Sequence, residues 1–352
     1  MRRASWTRGS IDLSRTSDAG RLTQKPVEKS DVRLTPTDID TLRASLPDLS
    51  FDPLKDCDPS AQPLAEKYLR LYGMDYSATD SAGRYLHRWG RVAVSSYTIA
   101  CHYWLPQQAP ALPEKGMVMV VHGYFDHVGL YGHLVRYLLE QGYGVVAFDL
   151  PGHGLSSGER ASIASFDDYV GVFEAILARV KRALPVPLSA VGQSTGGAIL
   201  LKHLSLGNRD LARAALLAPL VEPAQWWFNR IIYALGHRFL RGVKRVFKIN
   251  SGDADFVHFI EHDDPLQPDY IPIAWLGAMR GWVKECRAMK PCDFPITIVQ
   301  GTADRTLSWR TNLRILRRKF PAATVALIPN ARHHLVNESP PLRQRVFDLL
   351  GF

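Results

Sequence analysis

The chain has 352 residues, 46% of them apolar, so an ordinary hydrophobic core is available and no disulfide or metal staple is needed to explain stability. Its net charge is +9, but residues 1–33 carry +4 and residues 226–248 carry +6, which leaves the remainder at about −1. Basicity confined to a tail and one short segment is not a nucleic-acid footprint, and no nucleic-acid partner is expected.

Cys57, Cys101, Cys286 and Cys292 show no paired CxxC spacing, so neither a zinc site nor a disulfide framework is suggested. Free thiols and a reducing cytoplasm fit this usage. Met1-Arg2-Arg3 is not followed by an apolar h-region, and no stretch reaches the roughly 18 apolar residues of a membrane span. Neither a secretory signal nor an integral membrane protein is expected.

Residues 1–35 are rich in Arg, Ser, Thr and Asp and poor in large apolar residues, which predicts a disordered or loosely attached basic tail. A short helix is expected over Pro63–Leu71, and a hairpin over Arg84–Leu105 turning at Ser95-Ser96. Proline-rich Pro106–Lys115 reads as a connector. From Met117 the pattern changes: the apolar run Met117–Val121 has the form of a strand buried on both faces, and Leu130–Gln141 that of an amphipathic helix stopped by Gly142. Strand Val145–Leu150 follows.

Helix Phe166–Leu184 opens on Ser165 and Asp168, spaced like a capping box. Strand Pro187–Val191, helix Thr195–Leu206 and strand Ala214–Ala218 complete the first half. Alternating strand and helix implies a parallel sheet. The alternation breaks over Val221–Pro295 and resumes with strand Ile296–Gln300, helix Trp309–Lys319, strand Thr324–Ile328 and a last helix opened by Pro340-Pro341. The chain therefore divides into a core over 36–220 and 295–352, interrupted by a helical cap over 221–294.

Gly192-Gln193-Ser194-Thr195-Gly196 matches G-x-S-x-G between an apolar strand and an amphipathic helix, the context in which this motif holds a nucleophile on a sharp turn between small residues. Upstream, His122-Gly123-Tyr124-Phe125-Asp126-His127 follows a buried strand. Its Tyr124 amide, with that of Thr195, could bind the oxyanion of an acyl-transfer intermediate. His122 reads as a structural histidine. An acid and a base should follow in that order; Asp304 lies after strand 296–300, and His333 and His334 after strand 324–328. Spacing alone does not separate the two histidines. The Asp149–Gly158 loop, with its Pro and three Gly, reads as structural, and His153 is left out of the triad.

Together, HG-x-x-D-H at His122–His127, DLPGHGLSSG at Asp149–Gly158, GQSTGG at Gly192, GTAD at Gly301 and ARHHLVNE at Ala331 resemble the monoglyceride lipase and bacterial lysophospholipase branch of the α/β-hydrolases, over roughly residues 85–352. The resemblance implies an α/β-hydrolase fold, a mostly parallel central sheet with helices on both faces and an inserted helical cap. It implies ester hydrolysis through an acyl-enzyme on Ser194, with no metal or organic cofactor and a small lipid-like ester as substrate. In that family the histidine directly after Ala-Arg is catalytic and the next residue is often Glu, which favours His333 and makes His334 a departure. Gln193 and Thr195 also depart from the family's usual His and Met.

Rival readings stay open. Dehalogenases and epoxide hydrolases of this fold use Asp where Ser194 stands. An aminopeptidase of the proline iminopeptidase kind would keep the triad and need cap carboxylates such as Glu261, Asp263 and Asp264 for the substrate amine. A non-catalytic scaffold would be expected to have lost triad members. Within the cap, Trp275, Met279 and Trp282 share a helical face that could line an acyl pocket. Residues 226–248 would form a basic amphipathic stripe if helical, suited to peripheral contact with an anionic membrane such as the inner membrane surface.

Overall fold

The computed structural model describes residues 32–76, 85–106, 112–236 and 238–352. Apart from its last four residues, the expected tail lies outside them. Residues 32–352 form one compact unit built on an eight-stranded sheet. Its strands are β1 (Tyr85–Val94), β2 (Tyr97–Pro106), β3 (Met117–Val121), β4 (Gly144–Phe148), β5 (Leu188–Gln193), β6 (Arg213–Leu217), β9 (Ile296–Gly301) and β10 (Thr324–Ile328). The order is β1-β2-β4-β3-β5-β6-β9-β10, parallel throughout except that β2 runs antiparallel to β1 and β4.

The continuous apolar runs are explained by burial on both faces. In β3, Met117, Met119 and Val121 enter one core while Val118 and Val120 enter the other. The first core holds residues of α4 (Phe166–Ala183), α5 (Thr195–Ser205), α8 (Ile273–Ala288) and α9 (Trp309–Lys319). The second holds residues of α1 (Pro36–Ser45), α2 (Pro63–Leu71), α3 (Gly132–Glu140) and α10 (Pro340–Asp348). Helices on both faces of a mostly parallel sheet are the architecture expected from the alternating pattern. The α4 capping box forms as its sequence predicts, with Ser165 N donating to Asp168 Oδ2 at 3.2 Å. All four cysteines are free, three of them buried.

The cap contains α6 (Trp226–Gly236), α7 (Ala254–His258), a π-helical turn at Phe259–Asp263, α8, and a ribbon of β7 (Gly242–Lys244) and β8 (Tyr270–Pro272). One expectation is corrected here: 226–248 is not a continuous helix. It ends at Gly236, and Val243 pairs with Ile271 instead of continuing an apolar helical stripe. Poor helix propensity of Gly236 and Gly242 accounts for the break. No helix among the described residues is long and apolar enough to cross a membrane.

Candidate active site

Strand order places the motif loops side by side before any side chain is considered. β3 and β5 are neighbours, with Val121 opposite Gly192, and β9 and β10 end in register, with Gly301 opposite Ile328. The loops after these four strands therefore meet at the carboxyl edge of the sheet, where open α/β sheets hold their sites.

Ser194 links β5 to α5 with φ +52°, ψ −109°, a strained conformation for a side chain with a Cβ. Its amide donates to Leu217 O and its carbonyl accepts from Ala198 N and Leu220 N, so the surrounding backbone holds the strain in place. The turn is tight enough that a Cβ at Gly196 would lie 2.0 Å from Val121 O. A Cβ at Gly123 would lie 2.7 Å from Asp126 Oδ2 and 3.4 Å from Ser194 Cβ, so the loop after β3 runs directly over the serine. Thr195 opens α5, where helix amides lack an intrahelical carbonyl, and Tyr124 follows Gly123 on that loop.

Ser194 Oγ lies 3.1 Å from His333 Nε2, and His333 Nδ1 donates to Asp304 Oδ2 at 2.8 Å. The carboxylate can only accept, so the proton sits on Nδ1 and Nε2 is left to accept from the serine. Asp304 also accepts from Gln300 Nε2 at 3.0 Å and from the amides of Thr306 and Leu307 at 2.8 and 3.0 Å. Burial pushes the Asp304 pKa up, but His333 and these donors outweigh it and keep the group an anion. Burial likewise opposes protonation of His333, and the Asp304 charge reverses this, holding the imidazole above its ordinary value.

The second histidine is turned elsewhere. His334 Nε2 donates to Asp126 Oδ1 at 3.1 Å, while Asp126 Oδ2 accepts from Tyr131 OH at 2.8 Å and Gly123 N at 3.2 Å. The geometry thus separates the two histidines that spacing could not. His122 takes a structural place: Leu150 N donates to its Nε2 at 2.8 Å and its Nδ1 donates to Gly123 O. Asp149 accepts from Val128 N and Leu155 N at 2.7 Å each, and His153 Nδ1 donates to Pro151 O. Neither Asp149 nor His153 is bonded to Ser194.

Several supporting residues find partners that no local pattern announces. Gln193 Oε1 accepts from Val336 N at 3.1 Å, tying the serine turn to the histidine loop. Glu338 is fully buried and accepts from Arg332 N and Gly252 N, fastening that loop to the cap. Asp264, considered above as an amine ligand, is buried and accepts from Tyr72 OH, His127 Nε2, Gln267 Nε2 and Leu266 N. Glu261 and Asp263 pair with His262 and His258 on the exposed side of the cap.

The helical face of Trp275, Met279 and Trp282 divides. Trp282 is fully buried, its Nε1 donating to Leu220 O at 2.9 Å and its ring stacked on Phe166 at 5.4 Å, and Met279 is equally buried in the same core. These two are sealed in the core, Trp282 against α4 and the segment after β6, instead of lining an open cavity. Trp275 stacks on the Tyr124 ring with centroids 3.8 Å apart and so borders the loop over Ser194. No cluster of three or more metal-ligating side chains occurs among the described residues.

A Ser-His-carboxylate chain on the strand ends of a mostly parallel sheet, beneath a helical insertion, defines an α/β-hydrolase. The profile of the serine aminopeptidase, S33, family matches residues 113–340, and the chain belongs to that family. Among its relatives, human monoglyceride lipase is 27% identical over 271 residues, covering 70% of this chain and 83% of that protein. Phospholipase YtpA of Bacillus subtilis is 30% identical over 201 residues, covering 54% and 76%. A soluble variant of the Saccharomyces cerevisiae monoglyceride lipase, solved with a substrate analogue, shares the fold with TM-score 0.63 at 20% identity, covering 73% of this chain and 91% of that one.

Proposed function

We propose that the protein is a serine hydrolase that cleaves carboxylic esters of lipid-like substrates, of the monoacylglycerol or lysophospholipid type, through an acyl-enzyme on Ser194. The observation that carries this reading is the continuous chain from Ser194 Oγ through His333 to Asp304, at 3.1 and 2.8 Å. His333 Nε2 takes the serine proton as Oγ attacks the ester carbonyl, and Asp304 stabilises the imidazolium and fixes its orientation. The amides of Tyr124 and Thr195 receive the oxyanion, and His333 returns the proton to the leaving alcohol. Water then attacks the acyl-enzyme by the same route. The monoglyceride lipase and phospholipase relatives support a lipid-like ester as substrate.

The experiment is a fluorophosphonate label followed by a substrate panel. Wild type is expected to form an adduct on Ser194 and to hydrolyse monoacyl esters in preference to aminoacyl amides. Absence of an adduct in folded protein would remove the hydrolase reading. Preference for aminoacyl amides would select the aminopeptidase instead, against the saturated environment of Asp264 and the outward-facing Glu261 and Asp263.

The cap surface supports peripheral contact with an anionic membrane as the route to such substrates. Trp227, Leu235, Phe239 and Val246 are exposed at 66%, 74%, 85% and 75%, beside exposed Arg230, Arg238, Arg241, Lys244 and Lys248. Large exposed apolar side chains interspersed along the segment with cations suit burial at a head-group boundary.

A further inference from the structure

Of the six basic residues in 226–248, only Arg245 is not exposed. Its guanidinium lies between two rings, with its carbon 4.1 Å from the centroid of Phe125 and 4.1 Å from that of Phe247. Its Nη1 donates to Gln267 Oε1 at 2.7 Å and to Pro268 O at 3.3 Å, while its backbone amide donates to Asp269 O. Phe125 directly follows Tyr124, and their rings are 4.0 Å apart. The cation is thereby stacked on the same loop that crosses above Ser194.

No carboxylate lies within ion-pair distance of Arg245 among the described residues; of the acids around it, Asp269 is exposed to solvent, and Asp126 and Asp264 are engaged elsewhere. Asp126 is held by His334, Tyr131 and Gly123 N, and Asp264 by His127, Tyr72, Gln267 and Leu266 N. Burial pulls the Arg245 pKa down to about 10, which leaves it charged at neutral pH. A partly buried guanidinium without a direct counter-ion is a costly arrangement unless an anion joins it, and its planar fork matches a phosphate group.

We propose that Arg245 is the head-group-reading residue of the site: it binds the phosphate of an anionic monoacyl ester, of the lysophospholipid kind, whose acyl carbonyl lies at Ser194. This rests on the lipid-ester reading above. A glycerol unit links carbonyl to phosphate in such an ester, and the cation stacks on Phe125, the residue directly after the proposed oxyanion amide of Tyr124. A neutral glycerol head group would need no cation there.

Phosphate could also meet this cation at a bilayer, so the test uses short-chain esters that stay monomeric and no vesicles. The quantity read is kcat/KM for 1-hexanoylglycerol 3-phosphate divided by that for 1-hexanoylglycerol, which cancels any loss of active protein. Arg245→Gln is expected to lower this ratio about tenfold or more, the scale of a charge-assisted hydrogen bond. Arg245→Lys, which keeps the charge without the fork, should lower it less, and the double variant Arg241→Gln, Lys244→Gln should keep it. An unchanged ratio in Arg245→Gln overturns the proposal, as does an equal fall in the surface double variant. So does a wild type that cleaves the neutral ester but not the phosphate ester. Failure to cleave either ester would instead remove the lipid-ester reading beneath it.

Discussion

Ser194 is held in a positive-φ conformation by the backbone around it, so removing its hydroxyl should leave the fold intact and remove the chemistry. Ser194→Ala is expected to melt like wild type and to lose turnover by about 10⁶-fold, as nucleophile removal does in serine hydrolases. His333→Ala should be as severe. His334→Ala should weaken activity without abolishing it, because His334 bonds Asp126 on the loop after β3 instead of Asp304. Steady-state kinetics of the pair would show the reverse ranking if the base were His334. The pH profile follows from the raised His333 pKa: the base must be neutral to accept the serine proton, so kcat/KM should fall as pH drops through that raised value. Asp304→Asn removes the charge that raises it, so the inflection should move to lower pH while the plateau falls steeply. In stability the sign is opposite: the His333–Asp304 attraction favours the fold fully below the unfolded histidine pKa and is lost as pH rises through the folded one.

At the scale of elements, α8 joins the cap to the core through buried apolar contact. Trp282 is sealed against Phe166 and Leu220 O, and Met279 is fully buried beside it. Trp282→Ala should therefore cost about 3–5 kcal/mol and Met279→Ala about 2–5 kcal/mol in denaturant unfolding, the range for large-to-small core substitutions. A shift in acyl-chain preference without loss of stability would return them to a pocket wall. The i, i+4, i+7 spacing showed that the three residues share a face but not what covers it, since helical periodicity is the same against a core or a ligand. The strands were more legible, because runs such as Met117–Val121 are forced by burial on both faces and the motif loops must then follow at one edge. What local pattern could not supply were pairings between distant segments: Asp126 with His334, Asp264 with His127, and Gln193 with Val336. The β7–β8 ribbon escaped for the same reason, being closed from residues 270–272, whereas the break of 226–248 at Gly236 is local and follows from glycine's poor helix propensity. Helix α1 was not anticipated, although Thr35 and Asp38 form a capping box ahead of it.

Over the whole molecule, charge and exposed apolar surface coincide in one region. The segment 226–248 carries +6, while the chain outside it and the basic tail is near −1, so an anionic surface would meet an oriented field. On an anionic surface, apolar insertion and head-group attraction would act together: exposed Trp227, Leu235, Phe239 and Val246 would gain by leaving water, and Arg241 and Lys244 would stay at the charged boundary. Corrected for the break at Gly236, the surface is a short helix followed by a turn and a ribbon, so its binding should depend on these side chains and not on helix length. Two perturbations distinguish the contributions. Salt screens the cations over about 8–10 Å near physiological strength and over longer distances below it, so binding to vesicles rich in anionic lipid should fall as salt rises. Charge reversal at Arg241 and Lys244 should abolish the preference for anionic over neutral vesicles, while replacing Phe239 and Val246 with Ser should weaken binding to both. Equal partitioning of wild type and the charge-reversed variant onto anionic vesicles at low salt would leave the basic apolar surface without a role at the membrane. Arg245 is held back from this experiment because its guanidinium lies between Phe125 and Phe247, turned toward the loop over Ser194.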